Sequence, residues 1–335
     1  MEKAVVVTVI PSIHGLIFRR FGEQNDYKAV TDLINIVNVA DNLEEVETIK
    51  EFTNSSINST NCEYTKDTLV AQINNRVIGF THLWWEITVQ HEKIYNSRGF
   101  VHPEWRRKRI GQALLLWGEK RLREIAASHT KDSSKKILQL WSRSAESGCS
   151  YLAESQGYQP VRFANRMVRS LEDGIPIYPL PEGLEIHPAI PSTFRTIWIA
   201  MEEAFQDHWS RRVAMEEHYN QWLESPKFQP DLWQVAWDGH EVAGMALNNI
   251  NYLDNDTFKR KRGWTDPVCV RRAWRRRGLA RALICRSMTL LRAHGMTEST
   301  LRVDTQNPCG ALDLYLNLGY QTYHVSTGYR KLLDA

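Results

Sequence analysis

The stretch VRRAWRRRGLARAL, Val270 to Leu283, sets six arginines and the small residues Gly278 and Ala280 within fourteen positions. Two chemistries suit such a run: an anion held at the start of a helix, or a basic face for nucleic acid. A helix start presents unpaired backbone N–H groups and the positive end of the helix dipole, so an anion meets binding geometry already in place. Gly278 and Ala280, on either side of Leu279, let the main chain approach a ligand, while Arg275, Arg276 and Arg277 add charge around it. A pyrophosphate fits that description. Nucleic acid asks for a broad basic surplus, whereas 42 basic against 39 acidic side chains leave a net charge of only +3. The arginines are therefore a local feature, and no nucleic-acid partner is expected.

The elements that must position this run emerge from an internal repeat. VHPEWRRKRIGQALL (Val101 to Leu115) matches VRRAWRRRGLARALI (Val270 to Ile284), and AQINNRVIGF, with Gly79, matches AWDGHEVAGM, with Gly244. ESQGYQPV around Gly157 matches LNLGYQTY around Gly319, and GLIFR at Gly15 matches GLEIH at Gly183. Four landmarks in one order imply two copies of one domain, at 1–171 and 183–335. EDGIPIYPLPEG (Glu172 to Gly183), with three prolines and two glycines, reads as a semi-rigid linker over 172–182. Each copy orders its elements strand, helix, strand-turn-strand, strand, long helix, strand, helix, strand, an α/β pattern. In the second copy Leu283, Ile284, Met288 and Leu291 space a helix from about Leu279 to His294, closed by Gly295.

Composition bounds the rest. With 335 residues, 42% apolar, the chain can bury two ordinary cores. AVVVTVIP near the start is too short for a membrane span and lacks the flanks of a signal peptide, so a soluble, uncleaved, cytoplasmic protein is expected. Five cysteines without CxxC spacing argue against a disulfide framework or a metal site. The aromatic run HLWWEITV (His82 to Val89) reads as core rather than as a wall of an acceptor pocket.

VCVRRAWRRRGLARAL resembles the signature R/Q-x-x-G-x-G/A of the GNAT superfamily of acyl-CoA-dependent N-acyltransferases, with Arg275, Gly278 and Ala280 filling it. NPCGALDLYLNLGY (Asn307 to Tyr320) is similar to the same family's closing motif. The likeness covers about Gly183 to Lys331 and, more weakly, Leu16 to Arg169, and the tandem layout resembles the mycothiol synthase type. It implies two GNAT folds, each a mixed, mostly antiparallel sheet whose fourth and fifth strands splay apart, flanked by helices. It further implies acetyl-CoA as cosubstrate, an amine acceptor and no metal.

On that resemblance the fourth strand, with Val268, Cys269 and Val270, offers backbone amides to the pantetheine and to the thioester carbonyl. Tyr315 is the general acid: acyl transfer expels a thiolate, which a phenol of pKa about 10 can protonate. Asn307 either bonds the coenzyme or caps the following helix. General-base candidates are Asp266, Glu202 and Glu203, with Asp207 and His208 beyond them. Cys269 reads as a buried structural thiol rather than an acyl carrier.

The first copy departs from the pattern: Arg109 stands where the second has Gly278, and Ala153 where it has Tyr315, with Tyr151 two positions off. It is therefore expected to be degenerate, its anion binding weakened or reshaped, and the second copy catalytic. A non-catalytic acyl-CoA-binding or sensing protein is the alternative. Acceptor identity and the choice between monomer and homodimer stay open, and no membrane association is expected.

Overall fold

The computed structural model describes residues 5–57, 61–129, 134–209 and 211–333. Along the chain run β1 (Leu16–Arg20), α1 (Glu23–Ala40), α2 (Ile49–Ile57), β2 (Thr68–Ile73), β3 (Arg76–Ile87), β4 (Lys93–Val101), α3 (Ile110–Ser128), β5 (Lys136–Arg143), α4 (Ser147–Ser155) and β6 (Gln159–Ser170). The same order recurs in β7 (Glu185–Ile186), α5 (Phe194–Ala204), α6 (Glu216–Leu223), β8 (Gln234–Asp238), β9 (Glu241–Asn249), α7 (Tyr252–Thr257), β10 (Arg262–Val270), α8 (Leu279–Ala293), β11 (Glu298–Asp304), α9 (Ala311–Asn317) and β12 (Gln321–Leu332). Only α7 interrupts the recurrence.

The chain forms two compact units, Met1–Val161 with Ser326–Ala335, and Arg162–Val325. The end of the chain thus belongs to the first unit. Its sheet runs β1-β2-β3-β4-β5 and ends on the last part of β12, whose residues Ser326 to Leu332 pair antiparallel with Arg143 to Ile137. The second unit's sheet runs β6-β11-β10-β9-β8-β7, with Ala164 to Ser170 of β6 antiparallel to β11. The Pro-rich segment 172–182, expected as a linker, lies inside the second unit, and the physical reason is strand pairing: β6 completes the sheet that follows it in sequence.

Both sheets are antiparallel except at one pair each, β4 with β5 and β10 with β11. Helices cover both faces. In the first unit Phe21, Leu33, Phe52, Phe80 and Phe100 pack under α1 and α2, while Ile78, Leu83, Tyr95, Leu114 and Trp117 pack under α3. Val7 of the apolar opening stretch is buried with the latter group; Ala4, which begins that stretch, lies outside the described residues. The aromatic run divides by alternation: Leu83 and Trp85 join this core, whereas His82 stacks 5.5 Å from Trp84 on the opposite face.

In the second unit Ile197, Ala200, Met245, Leu247 and Cys269 form the layer under α5, and Ile284, Met288, Leu291, Leu301 and Tyr320 the layer under α8 and α9. The repeated glycines have a packing cause. A Cβ at Gly244 would lie 2.9 Å from the Cys269 carbonyl and 3.2 Å from Leu279; one at Gly79 would lie 3.2 Å from Ile110 and Leu114. Each glycine lets the long helix settle onto the sheet. That helix closes with Gly295 at φ 80, the left-handed position expected of it. No described helix is long and apolar enough to cross a membrane.

Candidate active site

The second unit's site is built around a parting of strands. β10 and β11 pair in parallel only from Arg262 to Trp264, opposite Glu298 to Thr300, although both continue to Val270 and Asp304. Among the described residues, the edge of β10 that faces away from β9 has no partner strand beyond Trp264. On its other edge the register with β9 shifts between Thr265 and Val268 and resumes with Val268 opposite Ala246, Cys269 opposite Met245 and Val270 opposite Gly244. In the first unit β4 and β5 likewise pair only from Lys93 to Asn96. The splay expected of each copy is present in both.

β10 leads into a short turn and then α8. Arg276 (φ 62) and Gly278 (φ 87) are left-handed, and among the described residues nothing accepts the backbone N–H groups of Arg276 through Arg281. A Cβ at Gly278 would meet nothing within 4 Å, so protein packing leaves that side of the turn open. Leu279 is buried and Ala280 half-buried, so they offer main chain rather than side chain. The first copy repeats the conformation with Arg107 (φ 61) and Arg109 (φ 66), and its amides from Arg107 through Gln112 are equally unclaimed. Arg109 therefore does not reshape the backbone turn; it adds a side chain to it.

The arginines divide. Arg276 and Arg277 are exposed at the turn. Arg275 faces inward: Nε donates to the Val270 carbonyl (3.0 Å), Nη2 to the Ala204 carbonyl (3.0 Å), and Nη1 to Asp207 (2.8 Å).

Tyr315, on α9, is 6% exposed, and its hydroxyl makes no hydrogen bond among the described residues. Burial raises its pKa well above the ordinary value, and the charge of Asp266 adds to the rise, with smaller contributions from Tyr320 and Cys269. Tyr315 lies in the apolar cluster against which Val268 of the splayed strand packs. In the first copy Ala153 is fully buried, while Tyr151 is 67% exposed beside Arg107, so neither replaces it.

Each carboxylate expected as a base is ion-paired. Asp266 accepts from Arg302 Nε (3.0 Å), Glu203 from Arg271 Nε (2.8 Å), Glu202 from Arg211, and Asp207 from Arg272 and Arg275. The two guanidiniums hold the Asp207 carboxyl far below the usual carboxylate range. His208 Nδ1 lies 3.0 Å from the Trp209 carbonyl. The Asn307 side-chain oxygen accepts the Cys309 N–H (2.8 Å), closing the turn ahead of α9. Burial pushes the Cys269 thiol up to about 12, which keeps it protonated and a poor nucleophile. Among the described residues no cluster of His, Cys, Asp and Glu is arranged to hold a metal.

Sequence reasoning missed a charged face beside the splay. Arg166 and Arg302, opposite each other on β6 and β11, each place a guanidinium 5.7 Å from the Trp264 ring, and Arg162 pairs with Asp304 at 2.6 Å. The signal was alternation: Arg162 and Arg166 in β6, with Thr300, Arg302 and Asp304 in β11, recur at the even spacing of one strand face.

A mixed sheet whose strands part beside a turn with unclaimed amides at a helix start is the arrangement of the GNAT acetyltransferase fold. The profile of the acetyltransferase (GNAT) family matches residues 193–320, and that of an acetyltransferase (GNAT) domain residues 65–160. The mycothiol acetyltransferase of Thermobispora bispora is 26% identical over 69% of this chain and 74% of its own; that of Thermobifida fusca is 28% identical over 69% and 73%. Among solved structures, a GCN5-related N-acetyltransferase from Sphaerobacter thermophilus superposes with TM-score 0.72 at 24% identity, covering 96% of each chain. A tandem GNAT protein from the clavulanic acid biosynthesis pathway superposes with TM-score 0.64 at 14% identity, covering 95% and 98%. The chain belongs to the GNAT acetyltransferase family, with two GNAT domains, and is an N-acetyltransferase.

Proposed function

We propose that the protein transfers acetyl from acetyl-CoA to a primary amine by direct attack in a ternary complex, with the second copy active and the first a degenerate partner. The observation that carries this is the presence in one unit of three features: among the described residues, an unpaired edge of β10 and unclaimed amides from Arg276 to Arg281, and Tyr315 buried in the apolar cluster against which Val268 of β10 packs. The amides of the turn take the coenzyme pyrophosphate, flanked by Arg276 and Arg277. Backbone around Val268, Cys269 and Val270 bonds the pantetheine and the thioester oxygen. The amine lone pair attacks the carbonyl carbon, the tetrahedral oxyanion collapses, and the C–S bond breaks as Tyr315 passes its proton to the departing thiolate.

The proton shed by the amine needs an acceptor. Asp266 is the strongest candidate, because it sits on the splayed strand and its charge reaches Tyr315; Glu202 and Glu203 are held by Arg211 and Arg271. It acts through a water, with Arg302 fixing its position. A non-catalytic acyl-CoA-binding role is the second reading, favoured by the ion pairing of every carboxylate considered. Turnover of any amine discards it.

Calorimetric titration with acetyl-CoA tests the proposal. About one site per chain is expected, lost in Gly278→Glu, where the new carboxylate opposes the pyrophosphate on the open side of the turn. No binding by the wild type would sink the reading, and a site surviving in Gly278→Glu would show that the first copy binds. The amines screened next begin with mycothiol-type acceptors, after the name of the relatives.

A further inference from the structure

We propose that Arg275, the arginine that opens the coenzyme motif, is a positioning residue that touches no phosphate: it braces the end of α5 to the end of β10 and so holds the amide turn in shape. The inference rests on the coenzyme reading above. All three donor atoms of its guanidinium that point into the protein are committed, to the Val270 carbonyl at the end of β10, to the Ala204 carbonyl at the end of α5, and to Asp207 just beyond it. Ala204 is the last residue of α5, so its carbonyl has no helical donor and lies at the negative end of the dipole, where a guanidinium is favoured.

The first copy supplies an independent instance. Arg106, which matches Arg275, donates from Nε to the Val101 carbonyl at the end of β4 (3.2 Å) and from both terminal nitrogens to Asp41 (2.7 and 2.8 Å), the cap of α1. The same atom bonds the matching carbonyl in both units, and the acid comes in both from the end of the unit's first long helix. The acids sit differently, Asp41 directly at the cap and Asp207 three residues past Ala204, so the bond pattern persists although the loops that carry it differ.

The brace has work to do. It lies immediately before Arg276, a non-glycine residue held at φ 62, a backbone shape that persists only when its surroundings impose it. The second copy adds two links that the first lacks: Arg271 to Glu203 and Arg272 to Asp207. At the matching positions the first copy has His102, bonded to Arg76, and Pro103. The copy proposed to bind coenzyme is thus the more firmly tied. The same ties join its turn to the end of α5, the helix that carries Glu202 and Glu203.

CoA is titrated calorimetrically, at several salt concentrations, into full-length wild type, Arg275→Gln, Arg275→Lys and Asp207→Asn. The brace predicts that all three variants bind about tenfold more weakly. It also predicts that Arg275→Gln with Asp207→Asn is no worse than the weaker single, and that the salt dependence of binding is unchanged. A direct phosphate contact predicts the reverse pattern: a shallower salt dependence for Arg275→Gln, and tighter binding in Asp207→Asn, where a competing carboxylate has gone. Either result overturns the proposal. If the wild type takes up no CoA, the coenzyme reading has failed, and the brace is judged from hydrogen exchange instead. The hydrogen-bonded amides beside the brace, those of Phe205, Arg271, Arg275 and Ala282, then exchange faster in the variants while those of β8 and β9 do not, or, if their exchange is unchanged, the brace is refuted.

Discussion

Tyr315 shows how one residue's surroundings set its chemistry. A phenol in water loses its proton at a pKa of about 10, but burial and the nearby Asp266 charge raise Tyr315 above that. In the role proposed for Tyr315 the acid form is the useful one, so moving its loss to higher pH widens the range in which the donor is loaded. We expect Tyr315→Phe to lower kcat about 100-fold while leaving acetyl-CoA affinity nearly unchanged, which steady-state kinetics would check. We also expect the wild-type kcat to show no fall between pH 8 and pH 10 from loss of this proton; a basic limb in that range, absent from the phenylalanine variant, would contradict the direction of the shift. Tyr315 was legible because its helix motif is contiguous. Its neighbours were not, since Asp266 and Cys269 reach it across nearly fifty residues of chain.

Among the elements, the close contact of β9, β10 and α8 positions the site. Gly244 is where it is tightest: a methyl there would press on the Cys269 carbonyl at 2.9 Å, on Val270 at 3.1 Å and on Leu279 at 3.2 Å. Those residues belong to the strand and the helix start proposed to hold the coenzyme. Gly244→Ala is therefore expected to destabilise the fold by about 1–3 kcal/mol and to weaken acetyl-CoA binding, measured by denaturant titration and calorimetry. Gly244 was visible in the sequence as one half of a repeated landmark with Gly79, though its cause was not. A glycine inside a strand signals close approach, but only packing says what approaches.

In the whole molecule, the last strand of the chain serves the first unit. Ser326 to Leu332 pair with β5, and Tyr329 and Leu333 are 4% and 5% exposed within the first unit's core. A chain ended after Val325 should leave the edge of β5 open and lose about 5 kcal/mol from those two side chains alone. Calorimetric unfolding should then show the first unit melting at lower temperature; an unchanged profile would mean that the exchanged strand adds nothing. For the same reason a fragment cut within 172–182 should not yield a stable first unit. The repeat in the sequence located both copies but assigned each its own final strand, because pattern matching follows chain order and strand pairing does not have to.

What the sequence by itself determined is local. The arginine run ahead of a helix, the left-handed Gly295, the α8 span, the doubling of the domain and the Tyr315 motif all rest on runs of adjacent residues, where conformational preference and spacing are written directly. Tertiary structure alone decided which arginine meets which carboxylate, that Arg275 turns inward while Arg276 and Arg277 stay out, and where the units divide. The chain holds dozens of chemically equivalent basic and acidic groups, so composition cannot rank their pairings. Burial and the geometry of helix ends and strand edges select one pairing among many, and those arise only once distant segments have packed.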